Sequence, residues 1–171
     1  MTERPETFSA ATPGQTVGPF FGMALPRAGA EDLVAPGTPG AVRLTGRVLD
    51  GEGAPVPDAL LEICVGDAFG RAATDADGSY AFTTLPPGPT ARGLPFFAAV
   101  VFARGLLNRL FTRIYLPAPP DAIAADPLLG QLDPDRRRTL IATEDGDALR
   151  FDVRLQGDQE TVFLTFPGHQ R

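Results

Sequence analysis

The chain predicts an all-β fold: a β-sandwich with a long N-terminal arm and one short helical insert. Three observations carry that reading. Nineteen glycines and eighteen prolines among 171 residues cut the chain into short segments, which suit strands better than the long helices of an α-helical domain. Several segments alternate apolar and polar residues with a period of two, the mark of a strand with one buried face. At 43% hydrophobic content the chain has the apolar material for a substantial single core.

Residues 1–40 contain Pro5, Pro13, Pro19, Pro26, Pro36 and Pro39 and read as the arm; residues 41–171 read as the sandwich domain. The arm also carries Val17, Phe20, Phe21, Met23 and Leu25, which need a surface to pack on. Residues 41–50 form the first strand, with Val42, Leu44, Gly46 and Val48 on one face and Arg43, Thr45 and Arg47 on the other. Residues 50–53 make a turn, and residues 59–65 a second strand. Residues 66–73 read as a short loop. Thr74-Asp75-Ala76-Asp77-Gly78 reads as a hairpin turn of the Asp-Gly kind. Residues 79–85 form a third strand, stopped by Pro86-Pro87-Gly88-Pro89. The continuous apolar run 96–103 predicts a strand buried on both faces, and residues 110–116 another strand. Residues 117–143 hold the helical insert, where Asp133 is placed to cap a helix that has Pro134 at its first position and runs towards Ala142. Two last strands are expected at 148–156 and 160–166.

Composition removes several function classes. A net charge of -6 argues against nucleic acid, which needs a clustered basic face, and against anionic membrane surfaces. The longest apolar stretch, 94–103, is too short to span a bilayer, and the polar first 14 residues offer no signal-peptide core. One cysteine, Cys64, excludes an internal disulfide and suits a reducing compartment. The expectation is a soluble, cytoplasmic protein.

The chemistry-bearing inventory is small: one histidine, His169, and two tyrosines, Tyr80 and Tyr115. No metal site of the His/Tyr or Cys type can be assembled from it. Tyr80 alternates with Phe82 and reads as core, Tyr115 shares a strand face with Phe111, and Cys64 reads as a buried inert thiol. His169, near the chain end, reads as solvated, and Arg136-Arg137-Arg138 as a solvated helix face. Asp75 to Gly78 lacks the first aspartate and the terminal glutamate of a calcium-binding loop. No phosphate-binding glycine loop or nucleophile elbow is present.

The order of segments nevertheless carries a resemblance. Leu44-Thr45-Gly46-Arg47-Val48-Leu49-Asp50, Pro57-Asp58-Ala59-Leu60-Leu61-Glu62-Ile63, residues 74–82 and Leu85-Pro86-Pro87-Gly88 are similar to the core of the intradiol ring-cleavage dioxygenases. The same stretch also resembles transthyretin-like and carboxypeptidase-regulatory-like sandwich modules, which are not enzymes. Thr12-Pro13-Gly14-Gln15-Thr16-Val17-Gly18-Pro19-Phe20-Phe21 resembles the N-terminal arm of the two-subunit branch of the dioxygenase family. Phe102-Ala103-Arg104-Gly105, Arg137-Arg138-Thr139-Leu140-Ile141-Ala142 and residues 150–163 resemble the α subunits of that branch. The resemblance spans residues 12–166.

The resemblance implies a two-subunit enzyme acting on an aromatic dihydroxybenzoate. Its β subunit holds a non-haem Fe(III) with two tyrosines and two histidines, the histidines at i and i+2 of one strand. Here Thr90 falls on one tyrosine position, and Phe96 and Ala98 fall on the histidines; residues 66–73, where the other tyrosine belongs, contain none. The expectation is therefore no metal on this chain, an iron-binding β-subunit partner, and no self-sufficient homodimeric dioxygenase of the catechol type. By the same resemblance Arg104 is a substrate-binding candidate, read as a buried arginine after an apolar strand that requires an anionic partner. Its competing reading is a structural ion pair. Thr16, Gly18 and Pro19 are placed by the resemblance at the mouth of the active site.

Overall fold

The structure, a computed structural model, describes residues 24–166. Its strands are β1 (Val42–Leu49), β2 (Leu60–Val65), β3 (Ala68–Ala73), β4 (Ser79–Thr84), β5 (Phe96–Phe102) and β6 (Leu110–Tyr115). Helix α1 (Pro120–Ala125), a 3-10 turn (Leu129–Gln131) and helix α2 (Pro134–Arg138) follow, then β7 (Thr143–Asp145), β8 (Ala148–Arg150) and β9 (Val153–Arg154). One sheet runs β3-β2-β5-β6. The other runs β4-β1-β8-β7, with β9 also beside β1.

The two sheets enclose the core through the period-two pattern. On β1, Leu44 and Val48 are fully buried while Arg43 and Arg47 are exposed. Leu44 stands opposite Phe82 of β4 and Leu149 of β8. In the other sheet Leu61 pairs with Val101 and Ile63 with Ala99, all facing inward. Burying each large aliphatic or aromatic side chain of this core is worth roughly 1.5–3 kcal/mol. A smaller cluster of Tyr115, Leu129 and Leu140 lies under the helical insert.

Gly46 shows why one residue type is required. A Cβ there would stand 1.8 Å from the Phe151 carbonyl oxygen and 2.9 Å from the Tyr80 hydroxyl. Tyr80 donates to that same carbonyl at 2.5 Å, closing β1, β4 and the C-terminal segment on one another. Burial, and secondarily the charge of Asp152, push the Tyr80 hydroxyl far above its ordinary pKa, so it stays a donor.

Residues 24–40 lie along the sandwich. The Leu33 N–H donates to Thr83, the Thr83 N–H to Glu31, and the Arg71 N–H to Ala30. The Leu33 side chain fills the space above Gly70, where an added Cβ would meet it at 2.2 Å.

Several sequence expectations are corrected. Residues 66–73 are not a loop: they turn at Gly66 and run back as β3, paired with β2 over its whole length. Gly70 weakens the strand signal in sequence, but Leu33 uses the space it leaves. The Asp75 to Gly78 turn is no hairpin. It carries the chain from β3 in one sheet to β4 in the other, with the Asp75 carboxylate accepting from the N–H groups of Asp77 and Ser79. Asp133 makes no side-chain cap, and α2 stops at Arg138. Beyond it the chain is drawn onto β6, Tyr115 donating to the Leu140 carbonyl and Ala142 to that of Tyr115. The strand expected at 148–156 is broken into β8 and β9 around Phe151 and Asp152, whose groups serve Tyr80 and the Arg47 N–H. Residues 160–166 keep only isolated contacts, including the Leu164 bridge to Phe111.

Candidate functional site

The candidate site is the outer face of the β3-β2-β5-β6 sheet. On β5, Phe97, Ala99 and Val101 point into the core, while Phe96, Val100 and Phe102 are half-buried and Ala98 is exposed. The reading of this strand as buried on both faces is corrected: its apolar continuity reflects an outer face that is greasy without being enclosed. Register places Phe69, Cys64, Ala98 and Arg113 side by side across the four strands. The next row holds Arg71, Glu62, Val100 and Phe111. Phe69 is 52% exposed. Cys64 is exposed too, which corrects the buried-thiol reading: the even positions of β2 from Glu62 onward face away from the core.

The outer face of the other sheet is different in kind. Arg43, Thr45, Arg47 and Arg150 lie there, in a groove of about 870 Å³ also lined by Arg27, Arg71, Glu31 and Asp32. The Asp152 carboxylate beside Arg150 raises that guanidinium's pKa.

Phe96 and Ala98 sit where a strand could aim two ligands outward from i and i+2, but neither has a lone pair to give. The Arg113 guanidinium stands 4.1 Å from the Phe96 ring centre, a cation–π contact, and donates to the Tyr115 hydroxyl at 3.1 Å. That hydroxyl lies 3.4 Å from Asp126 Oδ1. Asp126 is only 4% exposed and accepts from the backbone N–H groups of Leu94, Leu128 and Leu129 at 2.8, 2.9 and 2.9 Å. Burial works to raise the Asp126 pKa, but those three N–H groups and the Arg113 charge outweigh it and hold the carboxyl below its usual value. The Tyr115 pKa is raised, chiefly by burial, against the opposing pull of Arg113. Thr90, in the loop entering β5, places its hydroxyl 2.9 Å from the Arg92 carbonyl and 2.8 Å from that of Gly93. A ferric ion does not fit this arrangement: of the positions that the family resemblance assigns to ligands, Phe96 and Ala98 are hydrocarbon and Thr90 offers a neutral hydroxyl in place of a phenolate, and a guanidinium lies over the ring of Phe96. Among the described residues no group of three or more His, Cys, Asp or Glu could hold a metal ion.

Arg104 lies just beyond β5 at the sheet's end, apart from the Arg113 row. Its side chain is 56% exposed and its Nε stands 3.1 Å from Asp58 Oδ1. The expectation of a buried arginine is corrected: Ala103 is the last buried residue of that run, and Arg104 turns out to solvent. The anionic partner is Asp58, in the turn before β2 with φ +57°. Thr16, Gly18, Pro19 and His169 lie outside the described residues. Past Arg104, a groove of about 290 Å³ opens between residues 105–111 and 155–165, lined by Leu106, Leu107, Leu110 and Leu164 with Arg109 at one side. Sequence reasoning missed it because its two walls are about 50 residues apart in the chain and neither carries a motif.

No family model matches the chain. It is 37% identical to the protocatechuate 3,4-dioxygenase alpha chain of Burkholderia cepacia, over 90% of this chain and 96% of that one. Against the protocatechuate 3,4-dioxygenase alpha chain of Pseudomonas putida it is 38% identical, over 91% and 96%. Similarity extends to the B. cepacia beta chain of the same name, 31% identical over 69% of this chain and 65% of that one. Among solved structures, the dioxygenase domain of a dioxygenase–carbohydrate-binding fusion from Streptomyces sp. SirexAA-E superposes with a TM-score of 0.60 at 25% identity, covering 74% of this chain and 87% of that one. None of these relatives is a non-enzymatic transthyretin-like module.

Proposed function

Because the chain belongs to the intradiol ring-cleavage dioxygenases, in the branch of the protocatechuate 3,4-dioxygenase alpha chains, we propose that it works as the non-iron half of a two-chain enzyme. That enzyme adds both atoms of dioxygen to protocatechuate between its hydroxyls, giving 3-carboxy-cis,cis-muconate on the β-ketoadipate route. The observation that carries the division of labour is the outer face of β5. The strand keeps its place in the sheet, but Phe96 and Ala98 present carbon where ligands would stand, and Arg113 fills the space above Phe96. The ferric ion then belongs to the β-type companion, and no step of ring chemistry falls to a residue of this chain.

Its roles are support and steering. The sandwich backs the companion and closes one side of the pocket. The family resemblance assigns Thr16, Gly18 and Pro19 to the pocket's mouth. Arg104, exposed at the sheet's end and engaged through Nε, has other N–H groups with which to attract the carboxylate of a dihydroxybenzoate. The described residues hold no helix long and apolar enough to cross a membrane, and an exposed thiol at Cys64 suits a reducing cytoplasm.

The test is metal analysis and oxygen uptake with protocatechuate, on the purified chain and on the chain coexpressed with a beta-type intradiol chain from the same organism that carries the two tyrosines and two histidines. Activity and iron are expected only in the complex. Stoichiometric iron on the isolated chain would overturn the reading.

A further inference from the structure

We infer that the companion chain seats on the outer face of the β3-β2-β5-β6 sheet and brings a carboxylate to Arg113. The inference rests on the two-chain reading and says where and through what chemistry the two chains meet.

Apart from Arg113 and the Arg71–Glu62 ion pair, the two rows of this face are built of uncharged, mostly apolar side chains. Phe69 is 52% exposed, Cys64 and Ala98 are exposed, and Phe96 and Val100 are half-buried. The outer face of the other sheet carries Arg43, Thr45, Arg47 and Arg150 and is already suited to water. A polar counterpart on one sheet and an apolar one on the other mark the second as the side made to be covered.

Arg113 fixes the partner's chemistry. It stands in the same row as Phe69, Cys64 and Ala98. One of its N–H groups goes to Tyr115 and its plane lies over Phe96. Among the described residues no carboxylate is within ion-pair distance of it. Asp126, behind Tyr115, is committed to three backbone N–H groups. The other arginine of the face needs nothing further: Arg71 is paired with Glu62 at 2.5 Å and donates to the Leu25 carbonyl at 3.3 Å. Covering the face strips water from the Arg113 guanidinium, which meets the Asp126 carboxylate only across the Tyr115 hydroxyl, and a desolvated charge without a directly paired counter-ion is unfavourable. The surface that covers it must therefore be apolar around a single acidic side chain placed opposite Arg113.

The experiment measures the dissociation constant of the complex between this chain and a beta-type intradiol chain from the same organism. The variants are Arg113→Met, Arg113→Gln, Arg113→Lys and Phe69→Ser, each checked for an unchanged fold by its melting curve. Arg113→Met should weaken the complex roughly 30-fold or more, with affinity falling in the order Arg, Lys, Gln. Phe69→Ser, at an exposed position away from the core, should weaken it as well. A complex that Arg113→Met and Phe69→Ser leave unchanged would overturn this seat while leaving the two-chain enzyme standing. A Gln variant binding as well as or better than Lys would replace the carboxylate with a neutral acceptor and overturn the charge pairing. Failure of the unaltered chains to associate at all would overturn the two-chain reading itself.

Discussion

The guanidinium of Arg113 stands 4.1 Å over the ring of Phe96, reaching diagonally across the β5–β6 pairing. A cation from the protein's own chain thus occupies the space over a strand position that the family resemblance assigns to an iron ligand. Restoring ligands alone is then not enough. The double variant Phe96→His/Ala98→His should take up no stoichiometric ferric ion, because two imidazoles leave the coordination incomplete and Arg113 repels the metal. Metal analysis after dialysis against ferric salt checks this, with one iron per chain as the contrary result.

Asp126 anchors the helical insert to the entry of β5. Asp126→Ala removes the acceptor of three backbone N–H groups and should cost roughly 3 kcal/mol of stability, read as a lowered melting temperature. Its depressed pKa sets the sign of the pH effect. The stabilisation is complete above the ordinary carboxylate value of about 3.9 and is lost as pH falls below it through the folded value. Asp126→Asn should flatten that acid limb.

Tyr80 and Gly46 form one joint. Tyr80→Phe leaves the buried Phe151 carbonyl without its hydroxyl donor and should destabilise by about 1–2 kcal/mol. Gly46→Ala drives a methyl into that carbonyl and should cost more than about 3 kcal/mol, beyond ordinary overpacking. Denaturant titration separates the two.

Arg104 and Asp58 are both exposed, so their ion pair contributes little to folding. Arg104→Ala should leave the melting temperature within error. In the complex it should raise KM for protocatechuate more than for uncharged catechol; equal changes would remove the steering role.

Cys64 reports on the covered face without perturbing it. The isolated chain should react with a thiol reagent at close to the rate of a free thiol, since the side chain is exposed. The complex should react at least about tenfold more slowly, the side chain then being shielded. Mass spectrometry of timed samples gives both rates.

The alternation of Leu44, Gly46 and Val48 with Arg43, Thr45 and Arg47 was enough to place β1 and its buried face, because a strand's period is local. The chemistry of Phe96 and Ala98 was equally plain, since a side chain without donor atoms cannot ligate wherever it is folded. β3 was not legible: Gly70 breaks the strand signal, and only the Leu33 side chain, brought back from the arm, makes a glycine the right residue there. Nor was the exposure of Arg104 and Cys64, because an apolar run states that a segment is hydrophobic and not which of its faces is covered.

What the amino-acid order settled by itself was the sandwich and the hydrocarbon character of Phe96 and Ala98, both set by side-chain type and short-range periodicity. Tertiary structure alone decided that Arg113 meets Phe96, Tyr115 and, through it, Asp126. It also decided that Phe69, Cys64 and Ala98 form one exposed row. Those relationships depend on strand register and on an insert returning over a sheet edge, and register is fixed by contacts between segments that lie far apart in the chain.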